Sequence, residues 1–427
     1  MPRAIRSSSL RFEQVEATDR DRKSPATDHS RPNRIELSSP STFSKRSYVL
    51  MSVRRSSRSV WTMPKRVLEQ EEATSCAGKR RKVDSENPQT QVANISKRKL
   101  THEDYMVGWI CPLEIEQVAA LEMLDENHER LPQPPRDHNV YNLGSIAGHN
   151  VVIAGLHQPG NSSAATVVTQ MRNTFPNLRF GLLVGIGGGV PVKTDNGMIR
   201  LGDVVVSKPT GTHSGAIQYD HGKIKAGQFE RTGALAPPPA VLLNAAQDLA
   251  VKRARSRTDL VKENIKKIDT SIRGLRRYKY PGAGQDHLYK ADYKHLKPGV
   301  SCEECGCDPS QRIQRATDCD GDEDEDDEPH IVVHRGTVAS GELVVKNAVL
   351  RSQLAKEHGV VCFEMEAAGT LADFSCMVIR GISDYCDSHK NDQWHGYAAA
   401  AAAAYARQLF FHMPIEAVNR FVLAQDP

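Results

Sequence analysis

Phe180-Gly181-Leu182-Leu183-Val184 runs without a break into Gly185-Ile186-Gly187-Gly188-Gly189-Val190. No other stretch limits the available folds as much. A short apolar run of this kind reads as a central strand buried on both faces. Glycines clustered at its end let the backbone approach a ligand closely and adopt left-handed angles. Two earlier units repeat the pattern. Tyr105–Ile110 reads as a strand broken by Cys111-Pro112, with Leu113, Val118 and Leu121 lining the helix that follows, and Pro112 suits its first turn. Val151–Gly155 reads as a strand, His157–Ala164 as a polar turn capped at Asn161 or Ser162, and Ala164, Ala165, Val168 and Met171 as a helical apolar stripe. Strands alternating with helices predict an α/β fold.

Composition divides the chain. The first hundred residues carry 22 Lys and Arg against 11 Asp and Glu; the whole chain nets +4, so the remainder is acidic at −7. Serine, arginine and proline without apolar periodicity predict a disordered basic tail over residues 1–100. Within it Lys79-Arg80-Arg81-Lys82-Val83 fits a signal read by a nuclear import receptor, against the plainer reading of a solvated charge run. An acidic folded part, with no aromatics beside the basic runs, argues against a nucleic-acid partner. Nine cysteines without an apolar leader point to a reducing, intracellular compartment, the nucleus through the tail or otherwise the cytoplasm. No window approaches a membrane span, and Ala398–Ala404 reads as part of a packed helix.

Residues 101–415 read as one domain with an insertion at about 298–329. Cys302-x-x-Cys305 has zinc-compatible spacing, with Cys307, Cys319 and His295 as further candidate ligands. The acidic run Asp320–Glu328 favours the alternative, an exposed insertion with reduced thiols.

The residues with chemistry gather late in the chain. Gly359–Asp387 holds Glu364 and Glu366, separated by Met365, and the buried strand Cys376–Arg380, followed by Gly381-Ile382-Ser383-Asp384. This reads as a short helix carrying a carboxylate pair, then a strand delivering Asp384 to a cleft edge, where ligands of α/β sheets bind. The glycine cluster lacks the Lys-Ser/Thr of a triphosphate loop and fits no GxGxxG pattern. Glu114 and Glu116 lie near the positive end of the first helix. Asp203 reads as structural, residues 208–239 as a polar excursion, and Gly336–Glu342, which includes Ser340, as a small-residue turn.

Phe363-Glu364-Met365-Glu366-Ala367-Ala368 and Arg380-Gly381-Ile382-Ser383-Asp384 resemble the two signature segments of the purine nucleoside phosphorylase / methylthioadenosine nucleosidase superfamily, in the form of its fungal nucleosidase-like branch. Gly185–Val190, Leu201–Val206 and Gly336–Glu342 resemble its glycine loop, strand-entry turn and base-side loop. The resemblance implies a three-layer α/β sandwich around a central mixed sheet, cleavage of an N-glycosidic bond, and a homo-oligomer. It gives Asp384 the role of general acid to the purine, Glu366 the ribose hydroxyls, Met365 the underside of the sugar and Glu364 the ordering of the pocket. Gly187 and Gly188 fall beside the ribose, Ser340 on the base side, and Glu116, with Glu114 as rival, at the attacking water. Family phosphorylases hold phosphate with arginines and a hydroxyl. Here residues 106–118 contain no Arg or Lys, and Leu183 and Ile186 stand at the other positions. Water is therefore the expected co-substrate, with no cofactor. The expected activity is hydrolysis of a purine nucleoside or adenine nucleotide. Phosphorolysis, and a catalytically weak purine-nucleoside sensor or interaction protein, are the alternatives.

Overall fold

The computed structural model describes residues 100–297, 299–315 and 330–415. The basic tail with Lys79–Val83, together with Cys319 and Asp320–Glu328, lies outside the described residues.

The chain lays down β1 (Val107–Cys111), α1 (Glu114–Glu122), β2 (Glu126–His128), β3 (Tyr141–Ile146), β4 (His149–Gly155), α2 (Asn161–Thr174) and β5 (Phe180–Gly189). The small hairpin β6 (Lys193–Thr194) and β7 (Gly197–Met198) leads to β8 (Val204–Ser207) and β9 (Ala216–Gln218), then to the exposed hairpin β10 (Gly222–Lys225) and β11 (Gln228–Arg231). After α3 (Ala240–Arg255), α4 (Leu260–Ile265) and the single turn α5 (Cys302–Cys305) come β12 (Val333–Ser340), α6 (Ala348–His358), β13 (Val360–Glu364), α7 (Ala367–Thr370), β14 (Cys376–Asp384) and α8 (His395–Phe410).

One mixed sheet carries the fold, in the order β13-β12-β8-β14-β5-β1-β4-β3-β2, with β9 added beside β12. Helices cover both faces. On β5, Phe180, Leu182 and Val184 join the core beneath α1, α3, α4 and α8, whereas Leu183 joins the core beneath α2 and α7. That alternation is why the strand is apolar throughout. The alanine run works by its smallness. A Cβ on Gly381 of β14 would lie 1.9 Å from the Ala398 carbonyl oxygen of α8, so helix and strand meet backbone to backbone. Trp109 of β1 stacks on Phe410 near the other end of α8, ring centroids 6.3 Å apart.

Three local expectations are corrected. The glycine cluster is not a loop: β5 continues as strand to Gly189, and none of its glycines has a positive φ. The reason is pairing on two edges. β14 runs parallel along one side, while β13 crosses antiparallel on the other through Cys362↔Gly189 and Phe363↔Gly188. Gly336–Ser340 is likewise strand rather than turn, because β12 is held between β13 and β9. The carboxylate pair does not share a helix: Glu364 ends β13 and Glu366 caps α7.

Candidate active site

The ends of β5, β13 and β14 converge on Arg380, which is 1% exposed. An arginine inside a strand that reads Met-Val-Ile-Arg-Gly-Ile requires partners, because an unpaired buried charge is very costly. They come from β13 and α7. Arg380 Nη2 donates to Glu364 Oε2 at 2.7 Å and to Glu366 Oε2 at 3.0 Å, and Nη1 donates to the Ile186 carbonyl at 3.2 Å. Glu364 also accepts from the amides of Glu366 and Ala367 at 3.0 and 2.9 Å, so its oxygens are spent on shaping the turn into α7. Glu366 Oε1 accepts from the Gly160 amide at 3.1 Å, tying the entrance of α2 to the same point.

Glu116 arrives from the first turn of α1. Oε2 accepts from the Leu113 amide at 2.6 Å and Oε1 from the Ile186 amide at 2.7 Å. Gly185 makes room for it: a Cβ there would lie 2.3 Å from Glu116 Oε1 and 2.6 Å from Arg380 Nη1. The glycine cluster is therefore needed for close approach of side chains, not for left-handed backbone. Burial pushes the Glu116 carboxyl up to about 8 against the pull of Arg380 and the two amides. Burial also raises Glu366, again opposed by Arg380. Three buried carboxyl groups around one guanidinium leave this end of the site short of positive charge.

The other end has the opposite balance. Ser383 is an extra residue in β14, since Ile382 pairs Gly187 and Asp384 pairs Gly188. Such a bulge re-aims the side chain beside it. Asp384 accepts from the Cys386 amide at 2.8 Å and the Ser383 hydroxyl at 2.9 Å, and it forms an ion pair with Lys390. Burial would raise its carboxyl, but Lys390 and these donors outweigh that and hold it below the usual range. Burial would lower Lys390, but Asp384 outweighs it and raises the ammonium. Both directions favour the proton of this pair on Lys390 at neutral pH.

A cavity of about 180 Å³ is lined by Glu116, Gly187, Gly188, Met365, Glu366 and Arg380, among others. A larger one of about 1100 Å³ is lined by Asp384 and by residues of the 284–312 segment. Ser383 and Lys390 line both. The structure thus gathers Glu116, Glu364, Met365, Glu366, Gly187 and Gly188 around one hollow and places Asp384 next door. Glu114 stays outside, its side chain 84% exposed and facing Arg277. Ser340 does not reach the wall. It is fully buried, accepts from the Ala368 amide at 2.9 Å and donates to Asn161 Oδ1 at 3.3 Å, so it joins α7 to α2.

Sequence reasoning missed Arg380 and Lys390 as site residues. Arg380 had a signal, a lone charge in an apolar strand followed by glycine. Lys390 had none, since a lysine six residues beyond Asp384 in a polar loop looks like any other. The 299–315 part of the insertion is also less detached than expected. The Arg315 side chain, 8% exposed, lies between Asp286, at 2.8 Å, and the Tyr385 hydroxyl, at 2.6 Å. Cys302, Cys305 and Cys307 are partly buried free thiols, and Cys302 and Cys307 line the larger cavity.

No family model matches the chain. Among curated proteins it is similar to a nucleotide-binding leucine-rich repeat (NLR)-like protein of Hyaloscypha variabilis, 42% identical over 323 residues, which cover 75% of this chain and 30% of that protein. The chain thus spans under a third of that relative's length. It is also similar to the ATP nucleosidase Cap17 of Escherichia coli, 38% identical over 79 residues, 17% of this chain and 16% of that one. Among solved structures it is similar to futalosine hydrolase of Helicobacter pylori, with a TM-score of 0.46 and 16% identity over 73% of this chain and 100% of that one. The 5'-methylthioadenosine/S-adenosylhomocysteine nucleosidase of Neisseria meningitidis gives a TM-score of 0.44 and 17% identity over 71% and 97%.

Proposed function

We propose that the chain is a nucleosidase of the purine nucleoside phosphorylase / methylthioadenosine nucleosidase superfamily, hydrolysing the N-glycosidic bond of a purine nucleoside or adenine nucleotide. One observation carries the reading: the hollow has a carboxylate-rich end and an end with an ammonium, the polarity that breaking such a bond calls for. As the C1′–N9 bond lengthens, the sugar gains positive charge and the electron pair moves into the purine. Buried carboxylates in excess of cations stabilise the first, and a nearby ammonium stabilises the second. Glu116, Glu364 and Glu366 against Arg380 form the carboxylate-rich end, and Lys390 with Asp384 forms the other.

Glu116 takes a proton from the water that attacks C1′. Its two amide contacts fix the carboxylate, and burial makes it a stronger base than an exposed glutamate. Glu366 accepts from the ribose hydroxyls while Arg380 and the Gly160 amide hold it still. Met365 packs under the sugar. At the leaving group, purine N7 takes the proton that Lys390 and Asp384 share. The role expected of Asp384, general acid or hydrogen-bond donor to the base, is here given to the pair. The products are free base and free sugar.

Water rather than phosphate fits this hollow. Arg380 is committed to Glu364 and Glu366, and Leu183 and Ile186 supply no cation or hydroxyl. A phosphate dianion would enter against three carboxyl groups. The likeness to a protein named ATP nucleosidase makes adenine nucleotides the first substrates to test. The test is release of free base from ATP, adenosine, inosine and guanosine, with and without phosphate. We expect phosphate-independent release of base and free sugar. Strict dependence on phosphate, with a sugar 1-phosphate as product, would overturn the hydrolytic reading.

A further inference from the structure

Beside the larger cavity, whose wall includes Cys302 and Cys307, lies a cluster that the proposed hydrolysis does not use. His295, Cys302 and Cys307 present ring nitrogen and sulfur atoms that all lie within 4.8 Å of one another. Cys305 lies outside that trio but on the same turn, two residues before Cys307, where it interacts with the Cys307 thiol and the backbone of Leu296 and Lys297. The local fold brings them together deliberately. Ser301 caps the turn Cys302–Cys305, Gly306 then takes a left-handed φ of 73°, and the chain doubles back so that the Cys307 amide donates to the Cys302 carbonyl at 2.9 Å. That turn is what brings the Cys302 and Cys307 thiols together beside His295, with Cys305 next to Cys307.

We propose that His295, Cys302 and Cys307, with Cys305 as the fourth ligand, form a structural zinc site. The donor set is the one zinc takes, one imidazole and three thiolates in a closed tetrahedral shell. Bond lengths of about 2.0–2.3 Å require only a short inward movement of His295, Cys302 and Cys307, and a rotation of Cys305 toward them. A disulfide is a poorer account, since it would join two of the neighbouring thiols and leave His295 and the third thiol without a role. Amides aimed at Cys305 are the hydrogen bonds that a zinc-bound thiolate accepts from its surroundings.

The site would act as a clasp. His295 is held to the loop after β14 by its amide, which donates to Ser388 Oγ at 2.9 Å. Tyr289 stacks on His389 of that loop at 4.0 Å between centroids, and the Tyr293 hydroxyl accepts from the Asp308 amide at 2.7 Å. Lys390 follows in the same loop, and Cys302 and Cys307 line the cavity that Asp384 lines. A metal at the cluster would pin the outer wall against the segment carrying the Asp384–Lys390 pair. The proposal does not depend on the substrate or on any activity.

The test uses the full chain without a histidine tag, purified under reducing conditions from zinc-supplemented cells. Mass spectrometry of native and denatured protein reads the metal directly. We expect about one zinc per chain, released when the thiols are modified. The cobalt-substituted protein should show intense thiolate-to-cobalt charge transfer and tetrahedral visible bands. Cys307→Ser and His295→Asn should weaken metal retention at least tenfold, while Glu303→Gln, exposed on the same turn, should retain it. The wild-type measurement decides even if a variant does not fold. Reduced, folded wild-type protein that acquires no stoichiometric zinc and gives no cobalt charge transfer would overturn the site, as would a disulfide among these cysteines.

Discussion

The two ends of the cleft are built from the same strands, yet they solve opposite electrostatic problems. Around Arg380, three carboxyl groups share one cation, and nearly every oxygen is fixed by a backbone amide. Around Asp384, one carboxylate faces one ammonium across a strand bulge. The first end carries negative charge that folding must hold in place. The second carries a proton that can leave. The contrast shows that burial alone assigns no role: Glu116 and Asp384 are equally inaccessible, and their carboxyl groups shift in opposite directions because their partners differ.

The most severe way to break the contrast is to remove its only shared cation. Arg380→Met leaves buried carboxylates without a partner, a loss of about 3–5 kcal/mol by the usual scale for breaking a buried pair. Urea unfolding should show it, and the loss should shrink at acid pH as the carboxyls protonate. A variant as stable as wild type at neutral pH would mean that these groups are already uncharged.

At the other end the effect should fall on rate. Asp384→Asn keeps the shape of β14 but cannot carry the proton shared with Lys390, and base release should fall by about 10²–10⁴-fold, the range of general acid catalysis. Lys390→Met should fall comparably, because the proton rests there. Steady-state cleavage with folded variants checks both. If Lys390→Met turns over normally while Asp384→Asn does not, the acid is Asp384 alone.

How much of this was legible in the sequence follows from the kind of information each feature needs. The α/β fold was readable because strand and helix periods are local, and Phe180–Val184 or the alanine run announce burial on their own. The gathering of Glu116, Glu364, Glu366 and the glycines was readable only through motif resemblance. Two features were not readable. Continuation of β5 through its glycines depends on β13, which lies about 170 residues later in the chain and pairs across Gly188. The protonation of the Asp384–Lys390 pair depends on a loop path that no spacing rule fixes. Ser340 shows the converse hazard: its place in a family-like segment suggested ligand contact, whereas its hydroxyl is consumed within the fold.

A milder intervention sharpens the carboxylate end. If Glu116 is the base it must be ionised, so turnover should rise with pH through a midpoint near 8 and level off above it. Stability should move the other way. The folded-state value of about 8 lies above the ordinary 4.5, so between the two the folded chain binds the extra proton, and stability falls as pH rises across that window. Glu116→Gln should remove both slopes, lowering turnover by about 10²-fold or more while substrate affinity changes little. A pH–rate profile and urea midpoints from pH 5 to 9 test it. An unchanged rate limb in Glu116→Gln would take this residue out of the reaction.

The smallest expected effect tests whether the first helix is read in the right register. Glu114 and Glu116 sit two residues apart in the same first turn, and sequence alone offered both. Two residues along a helix is a rotation of about 200°, so only one can face the hollow. The structure puts Glu116 there, 3% exposed, and leaves Glu114 beside Arg277 at 3.4 Å with its side chain in solvent. An exposed ion pair of that kind contributes about 0–1 kcal/mol, less at high salt. Glu114→Gln should therefore change stability by no more than about 0.5 kcal/mol and leave turnover and its pH dependence untouched. Measured beside Glu116→Gln in the same buffers, the pair forms an internal control. Loss of the acid limb in Glu114→Gln rather than Glu116→Gln would mean that α1 is rotated in the working protein, and the carboxylate end would have to be rebuilt around the other residue.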